Sequence, residues 1–459
     1  MEKSDTTRGG GFVEGSGSVN RCAILWIEDD KIARMVLLRT HFYCLPVGLV
    51  SLLATGCYHS ITAGSSHVCV LKGSDPYCLG TDPVGRFGNG VNGATGSSGL
   101  VRAASGMKFG SIGAGDSNTC GVNDKGAYCW GENSLGQSGL AALGTTPTLT
   151  APPKDPVTPT GGGGRFVRIS TGDTGTCALT DAGKLYCWGD NGNGQIGQGT
   201  YGPGSGYQGE RCFSGRPCFL SPQEVPAPKG AAAFATISAR QGTRCAVTKD
   251  NQLYCWGDPQ FRQTGTPDST PYTDSPTHSR DGMATAVVGA HSTCGLSAKG
   301  EALCWGMDDK VGNLGAPATQ AVCGSQGLGN PPCSPTPTPV TGNHKFESRD
   351  GAVGIEEFTV CALDKKGLAY CWGNNSWGAD PNKSHGRLGN DSSVDFSQEP
   401  VAVNGPDGKP GDALRFREIA VGSSYVCGIE RGRRRIYCWG GDTSGAIYGS
   451  HPMLVAGHR

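Results

Sequence analysis

The sequence carries no surplus of charge in either direction: Lys and Arg number 39, and so do Asp and Glu. Proteins that hold nucleic acid by its phosphates need a basic face, so the balance argues against that class. Beyond the N-terminal region no apolar run reaches membrane-spanning length, which excludes a bundle of membrane helices. The common catalytic signatures are absent too. There is no His-Glu-x-x-His, no Gly-x-Ser-x-Gly and no Walker loop, and the nine histidines are scattered. Gly192-Asn193-Gly194-Gln195-Ile196-Gly197 has dinucleotide-fold spacing, but no helical pattern follows it. It reads as a turn, as do the Asp- and Asn-rich stretches around Asp190 and Asn374, which could otherwise suggest calcium.

What the chain does have is glycine, proline and cysteine. Among 459 residues are 76 Gly, 28 Pro and 21 Cys. The Gly and Pro content approaches that of disordered chains. Disorder would not bring 8 Trp, 13 Tyr and 21 cysteines with it. So many cysteines point to disulfides and an oxidising compartment. Length alone suggests about three domains, although all-β folds often exceed that prior as a single domain.

The first residues fall into two pieces. Residues 1–34 read as an N-terminal extension whose translation is left open. Its Ile24–Asp30 stretch is similar to the first strand of a response-regulator receiver, but nothing continues that fold. Residues 35–56 read as a signal peptide, with Arg39, the apolar run Phe42–Ala54 and then Thr55-Gly56-Cys57. The pattern resembles a bacterial lipoprotein signal, which makes Cys57 the lipidated first residue of a mature chain, 57–459. Ala54 stands where such signals prefer Leu. The alternative is a short buried strand ending in a free cysteine, and the flanking Arg34 and Arg39 speak against it.

From there the chain repeats. Seven cysteine pairs recur: Cys69 with Cys78, Cys120 with Cys129, Cys177 with Cys187, Cys245 with Cys255, Cys294 with Cys304, Cys361 with Cys371, and Cys427 with Cys438. The second cysteine sits in Tyr-Cys-Trp-Gly. Leu79 replaces the Trp once and Leu303 the Tyr once. Five copies have Gly five residues before the first cysteine: Gly64, Gly115, Gly172, Gly289 and Gly422. Each pair flanks a turn such as Asp181-Ala182-Gly183-Lys184, so the two cysteines face each other across an antiparallel hairpin. Facing positions without backbone hydrogen bonds lie about 4.5 Å apart, within disulfide reach. Zinc sites need closer spacing and four converging ligands. Leu179 opposes Leu185 on one face, and Ala178 opposes Tyr186 on the other. Both faces are apolar, so each sheet must be covered on both sides, as the blades of a β-propeller are. Cys212 with Cys218 and Cys323 with Cys333 remain as loop pairs. With Cys57 they account for every cysteine from that point onward.

The pattern Gly-x-x-x-x-Cys-Ala/Gly-Leu followed by Gly-x-x-Tyr-Cys-Trp-Gly-x-Asn-x-x-Gly-Gln resembles the regulator of chromosome condensation repeats. Gly172–Gln195 and Gly115–Gln137 are good copies. The resemblance implies an all-β, seven-bladed propeller of four-stranded antiparallel blades, with one hairpin disulfide in each. Paired cysteines depart from the nuclear members and occur in exported bacterial relatives, one of which inhibits β-lactamases.

Residues 141–164, 200–230, 258–282, 316–342 and 376–411 read as variable loops at the propeller rim, where binding usually lives. Tyr207, Arg211, Phe213, Arg216 and Phe219, around the pair Cys212 and Cys218, are the candidate binding residues, being of the types that anchor interfaces. His67, the single histidine at its repeat position, reads as structural. Arg431, Arg433, Arg434 and Arg435 read as a solvated turn tip, or else a contact for an acidic partner or lipid headgroup.

The expected function is a non-enzymatic, exported scaffold of the cell envelope, an outer-membrane lipoprotein exposed at the surface. It would be monomeric, bind a protein or glycan, and use no cofactor, metal or nucleic acid. Its only membrane contact would be the lipid anchor. The founder's activity, guanine-nucleotide exchange with chromatin binding, is the alternative. A propeller hydrolase or lyase is a second one.

Overall fold

A computed structural model describes residues 58–91, 94–141, 148–199, 210–212, 215–266, 273–308, 310–320, 331–376, 386–410, 414–441 and 448–456. In these residues, seven antiparallel sheets of four strands each follow one another along the chain. Every sheet is a meander of four consecutive strands, so each blade comes from one contiguous stretch. Blade 3 is typical: Phe166–Thr171, Gly175–Thr180, Leu185–Asp190 and Cys218–Val225, from the inside outward. The first strands of all seven blades line a central channel of about 500 Å³.

The hairpin register agrees with the spacing argument. Cys177 faces Cys187, Ala178 faces Tyr186 and Leu179 faces Leu185. Each blade has its hairpin disulfide. Cys69 is bonded to Cys78, Cys120 to Cys129, Cys177 to Cys187 and Cys245 to Cys255. Cys294 is bonded to Cys304, Cys361 to Cys371 and Cys427 to Cys438. All seven hold their Cα atoms 4.0–4.2 Å apart. In the stapled loop Cys212 is bonded to Cys218. Cys333 is disulfide-bonded, while Cys323 and Cys57 lie outside the described residues.

The long segments read as loops contain the outer strands of their blades. Thr148–Leu149, Cys218–Val225, Thr273–Asp281, Cys333–Pro339 and Phe396–Ala402 all pair with the third strand of their sheet. Their residues offer no alternation to read, because an outer strand is half-exposed and needs few backbone donors. Cys333–Pro339 carries three prolines, which only an edge strand tolerates.

The Tyr-Cys-Trp-Gly motif accounts for how the blades join. Each tryptophan is buried and donates its indole N–H to a turn carbonyl of the preceding blade. Trp130 bonds to Arg86, Trp188 to Gln137, Trp256 to Gln195, Trp305 to Gln263, Trp372 to Asn313 and Trp439 to Arg387, over 2.7–3.2 Å. The turn must come very close to the ring. At Gly139, φ is +71° and an added Cβ would lie 2.7 Å from Trp188 Nε1. Gly197, in the stretch with dinucleotide-like spacing, meets Trp256 in the same way. Its glycines are packing devices.

Leu79 falls at the closing seam between blades 7 and 1. There the hydroxyl of Tyr425 lies 2.8 Å from the carbonyl oxygens of Gly64 and His67, which share its one proton. Val68, Val70, Leu79, Cys427 and Ile436 pack around it.

We expect Trp188→Phe to cost about 1–3 kcal/mol, the penalty for stranding the buried carbonyl of Gln137. Chemical denaturation of the disulfide-intact protein measures it. A cost below that of an exposed substitution would mean that the indole bond contributes nothing to the seam.

Candidate functional site

An up-and-down blade has two ends. The hairpin turns between second and third strands, with the links between blades, lie on one face of the ring, the turn face. The short loops between first and second strands lie on the other, the loop face, together with the long connections into the outer strands. The short loops ring one mouth of the channel.

Five of these loops begin with the repeated glycine. The crowding explains it: a Cβ on Gly115 would lie 2.5 Å from the carbonyl oxygen of Gly172 in the next blade. Blades 4 and 6 break the rule, with Arg240 and Glu356 at that position. Their side chains meet. Arg240 Nη2 lies 2.6 Å from Glu356 Oε1, 2.9 Å from Asp116 Oδ1 and 3.2 Å from Ser65 Oγ. Its Nη1 lies 3.2 Å from Asp173 Oδ1. One guanidinium from blade 4 thereby touches blades 1, 2, 3 and 6 across the mouth. Arg240 and Glu356 are each 6% exposed at the side chain, whereas Asp116 is 40% exposed.

Three carboxylates share this one cation. Burial pushes Glu356 up to about 7, against the pull of Arg240. Burial pushes Asp173 up to about 6 in the same way, with repulsion from Asp116 adding to it. Burial pulls the Arg240 guanidinium down, but Glu356, Asp173 and Asp116 together outweigh it and hold the charge firmly. A clamp of this kind can fasten the ring, take up protons near neutral pH, and show one carboxylate, Asp116, to solvent.

His67 is fully buried, and its Nε2 lies 2.8 Å from Thr119 Oγ1 of blade 2. Burial first, then Arg86 and Arg240, bring its pKa down to about 3, so the ring stays neutral. Among the described residues no group of three or more His, Cys, Asp or Glu is placed to hold a metal.

Of the five candidate binding residues, Tyr207 and Phe213 lie outside the described residues. Arg216 Nη2 is 2.7 Å from Asp190 Oδ2 at the end of the third strand of blade 3. Phe219 is already in the outer strand and packs on the core between blades 3 and 4. Arg211 donates to the carbonyl of Gly215 within the stapled loop. Arg216 and Phe219 thus tie the described part of the stapled loop to blade 3. The amide of Gly192 donates to Asp190 Oδ1 in an Asx turn and that of Ile196 donates to Asn191 Oδ1, so the Asp- and Asn-rich stretch serves as turn chemistry.

Arg240, Glu356, Asp116 and Asp173 were not among the residues singled out from sequence. The available signal was the glycine rule itself: its two exceptions are Arg240 and Glu356.

Comparison with known proteins agrees with this architecture. The family description "Regulator of chromosome condensation (RCC1) repeat" matches residues 166–195. The ultraviolet-B receptor UVR8 of Arabidopsis thaliana is 25% identical over 398 residues, covering 84% of this chain and 78% of the receptor. The E3 ubiquitin-protein ligase HERC2 of Homo sapiens is 27% identical over 290 residues, 61% of this chain but 5% of the ligase. Two solved structures share the fold. Human WBSCR16 superposes with a TM-score of 0.63 at 16% identity, covering 82% of this chain and 88% of that one. Prp20p of Saccharomyces cerevisiae superposes with a TM-score of 0.61 at 20% identity, covering 80% of each.

Proposed function

Since the chain belongs to the family built from regulator of chromosome condensation repeats, we propose that it is an exported scaffold that binds a protein or glycan partner through its loop face. One observation carries the reading. On the turn face the hairpins are uniform, with paired cysteines 9–11 residues apart. On the loop face the connections differ from blade to blade, as between Asp190 and Cys218 or between Met307 and Cys333. A constant hairpin frame that carries variable loops is how rigid folds present recognition surfaces. Prp20p, of similar fold, binds Gsp1p and histones, so protein binding has a precedent in this architecture. The buried disulfides support export, since they form and persist in oxidising compartments. They oppose the exchange-factor alternative, whose GTPase partner is cytoplasmic or nuclear.

The test replaces residues 201–209 and 324–330 by Gly/Ser linkers, sparing Cys323 and every described strand. An exchange running through Phe219 would cut into the outer strand of blade 3. We expect the melt to stay within a few degrees and capture of the partner from envelope extract to be lost. Capture that survives in an intact fold moves the site to the channel mouth. Recovery of the native protein from the cytosol with reactive thiols would end the export reading.

The converging carboxylates favour one second reading, an acid–base hydrolase or lyase. Glu356, raised towards neutrality, is suited to a general acid, but its carboxylate is engaged by Arg240. Turnover of a glycan or peptide substrate that Glu356→Gln abolishes would establish that reading instead.

A further inference from the structure

The turn face carries its own pattern across blades 6, 7 and 1. Lys365 and Lys366 form the hairpin turn of blade 6, and both are exposed. Arg433 and Arg434 form the turn of blade 7, with Arg433 exposed. Arg415, also exposed, joins the two turns by donating to the carbonyl of Lys366 at 3.3 Å. Among the described residues of blades 6, 7 and 1, the carboxylates on this face are already engaged. Glu347 takes Arg349 and Arg431, Glu430 takes Arg435 and Glu418 takes Arg417. Asp350 takes Arg168, and Asp364 accepts the amides of Lys366 and Leu368. Six cations are left with no carboxylate partner among the described residues: Lys365, Lys366, Arg415, Arg433, Arg434 and Lys72, which lies over the Tyr58 ring.

The first described residue emerges beside them. The first strand of blade 1 starts at Tyr58 on the turn face, and Arg434 Nη1 donates to the Tyr58 carbonyl at 3.2 Å. In sequence, Cys57 and the apolar run Phe42–Ala54 come immediately before.

We propose that this basic turn face of blades 6, 7 and 1 docks on an anionic lipid surface, and so holds the loop face outward. The proposal rests on the lipoprotein reading of Cys57. A lipid on Cys57 tethers the chain but leaves the ring free to tumble; a basic face beside the tether fixes which side meets the headgroups, at about 1 kcal/mol for each Lys or Arg. The loops meanwhile project from the opposite face, away from the bilayer.

The experiment uses the full chain, wild type and Lys365→Gln/Lys366→Gln/Arg433→Gln, on vesicles of phosphatidylcholine alone or mixed equally with phosphatidylglycerol. The N-terminal segment is common to both proteins and both vesicles, so the preference for anionic vesicles reads the patch. Each basic residue near such a surface is expected to contribute about fivefold in partitioning. The triple variant should therefore lose about a hundredfold of that preference, with an unchanged melt. On anionic vesicles, amine labelling should spare Lys365 and Lys366 of the wild type and still reach Lys310 on the loop face.

Equal partitioning to both compositions would overturn the proposal, as would a triple variant that keeps the preference. Labelling of Lys365 and Lys366 blocked by polyglutamate but not by anionic vesicles would assign the patch to an acidic protein. None of these outcomes touches the loop-face reading, because the variant leaves that face intact.

Discussion

Arg240→Met is expected to lower the unfolding free energy by about 3–5 kcal/mol near neutral pH, the scale for removing one member of a buried ion pair. It leaves Glu356 and Asp173 buried with no cation between them, and cuts the contacts that join blade 4 to blades 1, 2, 3 and 6. The deficit should depend on pH in a set direction. In the native protein Glu356 rises from 4.5 to about 7 and Asp173 from 3.8 to about 6. Below the ordinary values both groups are protonated, folded or not, and ionisation costs the fold nothing. As pH climbs from 3.8 and 4.5 towards about 6 and about 7, the unfolded chain ionises these groups while the fold still holds their protons, so stability falls, and it levels off above them. Without Arg240 both folded values rise further, so the loss extends to higher pH. Acidification should therefore shrink the deficit of the variant, and adding Glu356→Gln should recover much of it. Denaturant midpoints across the pH range decide the matter. A deficit that stays constant with pH, or a second substitution that deepens it, would show that the charge cluster is not what fastens the ring.

The second large effect concerns the disulfides. In the chain-entropy account each loop of about ten residues contributes roughly 2–3 kcal/mol. Seven such loops together match or exceed the roughly 5–15 kcal/mol that typically separates folded from unfolded domains. The fully reduced protein is therefore expected to lose its cooperative melt. The native protein should nonetheless resist reductant, because the paired hairpin cysteines are at most 1% exposed and a blade must open before thiolate can reach sulfur. Titration of the denatured, unreduced chain should find almost no free thiol from Cys69 onward. If the reduced protein melts within a few degrees of the oxidised one, the pairs are incidental to stability.

The hairpins were legible in sequence because everything that sets them is local. The cysteine spacing, the turn residues and the alternation of Ala178 and Leu179 against Tyr186 and Leu185 lie within a dozen positions, and the register follows from strand periodicity. The reason for Trp188 was not legible, since its partner carbonyl belongs to Gln137 in another blade. The outer strands escaped for the opposite reason: an edge with little to bury carries little pattern. The clamp at the channel mouth joins Ser65, Asp116, Asp173, Arg240 and Glu356, which ring closure alone brings together. No local rule connects them. Only the break in the glycine rule marked the place, and a break in a repeat says that a position is special without saying what it touches. The turn tip of blade 7 showed its charge in sequence, but not the lysines of blade 6 or Tyr58 beside it.

Blades that borrow no strand from one another also bear on how such a ring is inherited. A stretch running from one repeated glycine to the next encodes a whole sheet's worth of strands, so copying or deleting it adds or removes one complete part and leaves every other sheet paired as before. The indole bond travels with the copy, because donor and acceptor are supplied once by each repeat. The seam of blades 7 and 1, with Leu79 and Tyr425 in place of that bond, is the one joint that such a change does not reproduce. The Arg240 clamp pulls the other way. It spans five blades of unequal sequence, and a change in their number would separate its charges. The hairpin frame favours modular growth, and the residues at the channel mouth fix the count at seven.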